Sequence, residues 1–220
     1  MPRWVSSLGR WSEQAALWLQ LRWVRSVSQL ERLLAEVGAR EPVRAAEPGL
    51  PEAAVALLLV ADPDRLLLIR RAERVGDPWS GHLALPGGRR EVVDGDLLET
   101  AIRETWEETG LLIDRAWHVG TLDDLAPRTP LLPPILVRPF VFRLEVEQVP
   151  GLSDEVAQAG WVELAYLVEP GVFGAKPVTV RGAERVVEGY HLPEGFLWGM
   201  TERIVTPILQ RWKELCSAET

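Results

Sequence analysis

The sequence predicts an α+β fold. Short apolar runs of strand length recur between residues 53 and 164, and helical periodicity is confined to three stretches. Strands and helices do not alternate in regular βα units, which favours α+β over a doubly wound sheet. A chain of 220 residues suits one domain with a substantial core and an additional arm.

The elements follow in order. Residues 11–37 read as a helix: Leu17, Leu21 and Val24 share one stripe, and Leu30, Leu33, Leu34 and Val37 continue an apolar face up to a stop at Gly38. Trp4, Trp11 and Trp18 recur seven apart, and four of the chain's 10 tryptophans lie between Trp4 and Trp23. Residues 41–51 hold three prolines and a glycine and read as a linker. The expected organisation is a helical arm with its linker over residues 1–50, then a domain over residues 51–215. Ala53–Val60 reads as a buried strand, Asp62-Pro63-Asp64 as a turn and Leu66–Ile69 as the second strand of a hairpin. Gly76–Gly81 is a loop, and Leu83–Leu85 is a short strand running into a Pro86-Gly87-Gly88 loop. Leu97–Thr109 reads as a helix burying Leu98, Ala101, Ile102, Thr105 and Trp106, with Gly110 ending it. Strands are expected at 116–122, 139–146 and 159–164, and residues 126–134 form a loop with four prolines. A last helix is expected over Phe196–Trp212, with Pro207 kinking it.

Composition narrows the function. The net charge of −8 argues against a general nucleic-acid binder, which needs a basic face. A phosphate substrate remains allowed, because bound divalent cations reverse the local field. Cys216 is the single cysteine, so neither an intrachain disulfide nor a cysteine zinc site is expected. No apolar run reaches the ~18 residues of a membrane span, and the start lacks a secretory signal pattern. These features set the expectation of a cytoplasmic protein without stable membrane insertion.

The segment Arg103-Glu104-Thr105-Trp106-Glu107-Glu108-Thr109-Gly110 carries the chemistry. On a helix Glu104, Glu107 and Glu108 are i, i+3 and i+4 neighbours, so three carboxylates share a face. Their mutual repulsion is relieved by a cation, and Mg2+ takes hard oxygen ligands while keeping several waters. Arg103 is placed to pair with Glu107 and hold its rotamer. Three glutamates in five residues otherwise make an ordinary solvated face; the glycine loop at Pro86-Gly87-Gly88 upstream is what makes the combination specific, since glycine lets a backbone approach closely. Arg70, Arg71 and Arg74 offer bidentate forks for phosphate, or form a solvated strand end. His82 contacts substrate or caps its loop.

Residues 88–111 resemble the Nudix box, in which a Gly and a Glu precede Arg-Glu-x-x-Glu-Glu-x-Gly. The stretch before Arg103 is one residue longer than the common spacing, and Asp94 or Asp96 stands in for the intermediate Glu. That spacing resembles the coenzyme A pyrophosphatase branch, as do Arg71-Ala72, Gly81, Leu85-Pro86-Gly87-Gly88, Thr100-Ala101-Ile102-Arg103-Glu104, Pro139-Phe140-Val141, Asp154-Glu155-Val156 and Leu197-Trp198-Gly199-Met200-Thr201. Trp79, His82 and Leu85 depart from the branch. The resemblance covers roughly residues 53–212 and implies a mixed β-sheet sandwiched between helices. It implies metal-dependent hydrolysis of a diphosphate linkage in coenzyme A or an acyl derivative, giving 3',5'-ADP and 4'-phosphopantetheine. Arg103, Glu104 and Glu107 are then catalytic; Gly87, Glu104, Glu107 and Glu108 hold Mg2+ or Mn2+; and Arg70, Arg71, Arg74 and His82 bind substrate. Glu104, Glu107 and Glu155 remain alternative general bases. Two other readings stand beside this one: the same chemistry on NADH or a nucleoside triphosphate, and a non-catalytic nucleotide-binding module. Retention of all three box carboxylates favours the enzyme. The expected partner is a small nucleotide substrate, with no nucleic acid, and a homodimer is left open.

Overall fold

The structure is a computed structural model that describes residues 29–45, 49–75, 79–127, 134–180 and 182–218. Helix α1 spans residues 29–39. After it come β1 (Glu52–Val60), β2 (Arg65–Arg71), β3 (Leu83–Ala84), β4 (Gly87–Arg89), α2 (Leu97–Thr109), a 3-10 turn (Arg115–Trp117), β5 (His118–Thr121) and β6 (Leu136–Leu144). The chain continues through β7 (Val156–Glu163), α3 (Leu164–Leu167), β8 (Phe173–Val180), β9 (Ala183–Leu192), β10 (Gly195–Trp198) and α4 (Met200–Ser217). Among the described residues no helix is long and apolar enough to cross a membrane.

β1 is the central strand because its apolar run can be covered on both faces. It pairs in parallel with β6 from Glu52↔Leu136 to Val60↔Leu144, and antiparallel with β2 and β4. The main sheet has the order β3-β2-β1-β6-β5, with β7 added along β2. Side chains alternate across it. Ala54, Ala56, Leu58, Leu67, Phe140 and Phe142 face α2, while Leu57, Leu59, Leu66, Leu68 and Val141 face α1 and α4. The sheet therefore lies between helices, as expected for the class. A second sheet, β10-β9-β8, lies on the α4 side.

Leu30, Leu33, Leu34 and Val37 form the buried face of α1, as their spacing predicts, and share a core with Ile204, Val205, Leu209 and Trp212 of α4. Gly38 does not stop the helix. It lies in the last turn, where an added Cβ would stand 3.0 Å from the Val119 carbonyl of β5, so close approach is its role. The remainder of the expected arm, including Trp4 and, from its expected helix, Trp11, Leu17, Trp18, Leu21 and Val24, lies outside the described residues. So do 76–78 of the loop before β3 and 128–133 of the proline-rich loop.

The β1–β2 turn carries a buried acid. Asp64 is 3% exposed; its Oδ2 accepts a hydrogen bond from Trp212 Nε1 at 2.8 Å and its Oδ1 has no hydrogen-bond partner among the described residues. Its backbone carbonyl accepts from the Leu164 N–H at 2.9 Å, so this one residue joins the hairpin to α3 and α4. Burial, opposed by the Trp212 bond and reinforced by Glu31 and Asp62, pushes the Asp64 carboxyl up to about 7.

Three segments differ from the sequence expectation. Residues 87–89 form strand β4 rather than a loop. The expected helix at 196–212 splits into β10 and, after Gly199 (φ 75), a helix running to Ser217. The β8–β9 hairpin, turning at Gly182 (φ 78), occupies a stretch for which the sequence pattern predicts no strand.

Candidate active site

α2 begins and ends where its sequence says. Asp96 caps it by accepting from the Glu99 N–H at 2.8 Å, an interaction worth about 1 kcal/mol. Gly110, in the left-handed conformation at φ 66, closes it with an N–H to the Trp106 carbonyl at 2.7 Å. Its buried face departs from the expected one: Leu98, Ala101 and Thr105 are buried, Ile102 is only partly so, and Trp106 is not. Thr105, Glu108 and Thr109 turn inward, and Trp106, expected inside, is 53% exposed. The inward stripe thus carries a carboxylate rather than an indole into the protein.

That carboxylate meets β4. Glu108 is 3% exposed, and its Oε2 accepts the Gly87 N–H at 2.9 Å. Arg71 Nη1 stands 3.9 Å from Oε1. Burial pushes the Glu108 carboxyl up to about 7, against the Gly87 hydrogen bond and Arg71, with the charges of Glu104 and Glu155 adding to the rise. Glu104, half-buried, is also raised by burial, with Arg103 opposing and Glu107 and Glu155 adding. Both glycines of β4 are dictated by proximity. At Gly87 (φ 154) an added Cβ would lie 2.6 Å from Val55 Cα, and at Gly88 it would fall on the Glu104 carboxylate.

Arg103 organises the exposed side. Its Nε and Nη2 donate to the two oxygens of Asp94 at 2.9 and 3.0 Å, Nη1 donates to Glu104 at 3.0 Å and to Glu107 at 2.9 Å, and Nη2 also reaches the Arg89 carbonyl at 3.0 Å. Asp94 further accepts from Thr100 Oγ1 and from the Glu91 N–H, both at 2.9 Å. The hydrogen bond from Arg103 and those from Glu91 and Thr100 hold its carboxyl far below the usual range despite burial. The two aspartates left open in the sequence therefore have different tasks: Asp94 anchors Arg103, and Asp96 caps the helix.

The three arginines expected to bind substrate separate. Arg71 and Arg74 lie toward the carboxylates, Arg74 pairing with Glu155 at 3.2 Å; the Glu155 carbonyl accepts from the Ala72 N–H at 2.8 Å. Arg70 projects from the opposite face of the sheet with Leu66 and Leu68, where its Nε donates to the Gly81 carbonyl at 3.4 Å and its Nη2 lies 3.8 Å from Glu73. His82 packs its ring on Trp198, centroids 5.0 Å apart. The structure brings Glu104, Glu107, Glu108, Arg103, Gly87 and Arg71 together and adds Glu155, whose charge is felt at both Glu104 and Glu108.

Among the described residues no group of three His, Cys, Asp or Glu side chains is drawn together at metal-binding spacing. Arg103 holds Glu104 and Glu107 to one side, and Gly87 holds Glu108 to the other. The donor chemistry nevertheless suits a hard divalent cation: the donors are all oxygen, and two are carboxylates, Glu108 buried and Glu104 half-buried, whose ionised form lacks full compensation.

A profile described as the NUDIX domain matches residues 50–181. An uncharacterised protein of Schizosaccharomyces pombe is 41% identical over 112 residues, 48% of this chain; the match spans only 33% of that longer protein. The mitochondrial coenzyme A diphosphatase NUDT8 of Homo sapiens is 29% identical over 192 residues, covering 81% of this chain and 75% of the human one. Among solved structures, a MutT/nudix family protein from Enterococcus faecalis superimposes with a TM-score of 0.53 at 18% identity, over 84% of this chain and 70% of that one.

Proposed function

This chain belongs to the NUDIX domain family, and from that membership we propose that it is a pyrophosphohydrolase cutting the diphosphate linkage of a nucleoside diphosphate derivative, with coenzyme A or an acyl-coenzyme A as substrate. The products are 3',5'-ADP and a 4'-phosphopantetheine. One observation carries the reading: Glu104 and Glu108, desolvated on one face of α2, lie against a strand whose two glycines admit no side chain. The likeness to a coenzyme A diphosphatase over most of both chains supports the choice of substrate.

Glu104, Glu107 and Glu108, with the Gly87 backbone, are the groups to hold Mg2+ or Mn2+. When bound, such an ion neutralises the diphosphate and lowers the pKa of a bound water. Arg71 and Arg74, at the carboxylate side of β2, grip the non-bridging phosphate oxygens in bidentate fashion. Arg103 touches carboxylates rather than substrate; its bonds to Asp94 keep it rigid while it positions Glu104 and Glu107. Glu107 and Glu155, at 46% and 54% side-chain exposure, are the carboxylates available to take the proton of the attacking water. His82, on Trp198, borders the substrate side. Attack at phosphorus then depends mainly on positioning and charge stabilisation.

The test is a panel of diphosphate substrates with Mg2+ or Mn2+, products identified by mass. Release of 3',5'-ADP from coenzyme A, abolished by chelation, is the expected result. Faster hydrolysis of NADH or a nucleoside triphosphate would reassign the substrate, and no turnover of any would reject the enzyme.

A further inference from the structure

The β8–β9 ribbon sorts its charges by face. Its register pairs Gly174 with Gly189, Lys176 with Val187 and Val178 with Arg185, and paired residues of an antiparallel ladder share a face. That face therefore bears Lys176 and Arg185, continues to His191 on β9, and extends onto β10 through the pairs His191↔Phe196 and Gly189↔Trp198. The opposite face carries Glu184 and Glu188 with Ala175, Pro177 and Val186. In a chain of net charge −8, cations gathered on one side of a ribbon and carboxylates on the other make a directed field.

The cationic face is built on rings. Lys176 Nζ stands 5.3 Å from the centroid of Phe196, and the His191 ring lies 4.8 Å from the same centroid. Gly174 leaves the space beside His191 without a side chain: a Cβ there would be 3.5 Å from Nε2. The face is also tied to the catalytic carboxylates. Trp198 rests on His82, the His82 carbonyl accepts the Arg71 N–H at 3.0 Å, and Arg71 reaches toward Glu108. Lys176 lies two ladder positions beyond the partner of Trp198, roughly 7 Å at the rise of a strand.

We propose that this face is a second recognition surface, taking an anionic, ring-bearing group: the nucleoside end of the substrate with a phosphate outside the scissile diphosphate. The proposal rests on the diphosphate-hydrolase reading. Lys176, with Arg185 farther along the ribbon, supplies the charge for the extra phosphate, and the His82–Trp198 pair and His191 supply ring faces for the base. The acidic face opposes the same ligand and so fixes the side on which it binds.

The experiment measures calorimetric affinity for adenosine 3',5'-bisphosphate and for AMP, alongside KM and kcat for coenzyme A and its 3'-dephospho form. Lys176→Gln combined with Arg185→Gln should weaken the bisphosphate about tenfold and AMP less than twofold, and raise KM for coenzyme A about as much with kcat unchanged. Glu184→Gln with Glu188→Gln, on the other face, should weaken neither ligand. Unchanged bisphosphate affinity in the cationic-face variant, equal loss for both ligands, or failure of the wild-type protein to bind the bisphosphate overturns the proposal. Binding is read without turnover. A wild-type protein that binds the bisphosphate selectively through Lys176 and Arg185 but cuts no diphosphate fails as a hydrolase while the recognition surface stands.

Discussion

Glu108 and Asp94 are both buried acids, and their surroundings drive them in opposite directions. Glu108, short of compensating charge, is expected to need a cation. Glu108→Gln should lower turnover by about 10²–10⁴-fold. In thermal melts Mg2+ should raise the wild-type midpoint, because a ligand bound only by the folded state stabilises it, and the gain should shrink or vanish in the variant. A variant as active and as metal-responsive as wild type would remove Glu108 from the ligand set. Asp94 has its charge matched by Arg103. A carboxyl held low in the folded state contributes stability that is present above its unfolded value near 4 and lost as pH falls toward the folded one. Asp94→Asn should therefore cost about 2 kcal/mol at pH 7 and less at pH 3, measured by urea unfolding. It should also lower kcat, because Arg103 loses its anchor. Equal destabilisation at both pH values would contradict the charged pairing.

At the scale of elements, β4 supplies a paired test. Gly88→Ala places a methyl group on the movable end of Glu104, so the fold should persist while activity falls at least about tenfold, the order expected from misplacing one charge-stabilising group. Gly87→Ala meets the backbone of β1 at a φ of 154 and should lower the melting midpoint as well. Identical melts and full activity for both would mean that the glycines are not placed by proximity. Strand β4 also shows where sequence reading stops. The carboxylate spacing on α2, its caps and the β1–β2 hairpin were legible, because period and capping chemistry are local signals. Gly87 and Gly88 read as a loop because glycine has weak strand preference; only Ala54 and Val55 across the ladder make them a strand. The β8–β9 hairpin hid for a related reason. Its exposed lysine, arginine, glutamates and Pro177 blur the apolar alternation that marks a half-buried strand. Trp106 faces outward because the core took Thr105 and Glu108 instead, a choice made by packing against β4 and β1. The split between Arg70 and Arg71 followed from strand alternation, yet grouping them by sequence concealed it.

At the scale of the molecule, Asp64 joins the β1–β2 turn to α3 and α4, with Glu31 of α1 close enough to be felt. Its folded pKa of about 7 lies above the unfolded value near 4, so the stability it contributes is complete below about 4 and is lost as pH rises through 7. Asp64→Asn, which keeps an acceptor for Trp212, should remove this loss. Relative to wild type it should gain on the order of 4 kcal/mol between pH 4 and pH 8, levelling off above, as read from urea midpoints. A gap constant with pH would show that Asp64 ionises freely in the folded protein. The central position of β1 has a consequence of another kind, in the order of synthesis. β2 follows β1 within one turn and pairs with it at once, but β6, the partner along its other edge, begins only at Leu136. Until then a growing chain displays the apolar run Ala53–Val60 with one edge unsatisfied, a template for the same run in a neighbouring chain. Chains interrupted between α2 and β6 should sediment as aggregates where the full-length protein does not, so the hazard belongs to the seconds of synthesis before β6 emerges and to the spacing of polysomes.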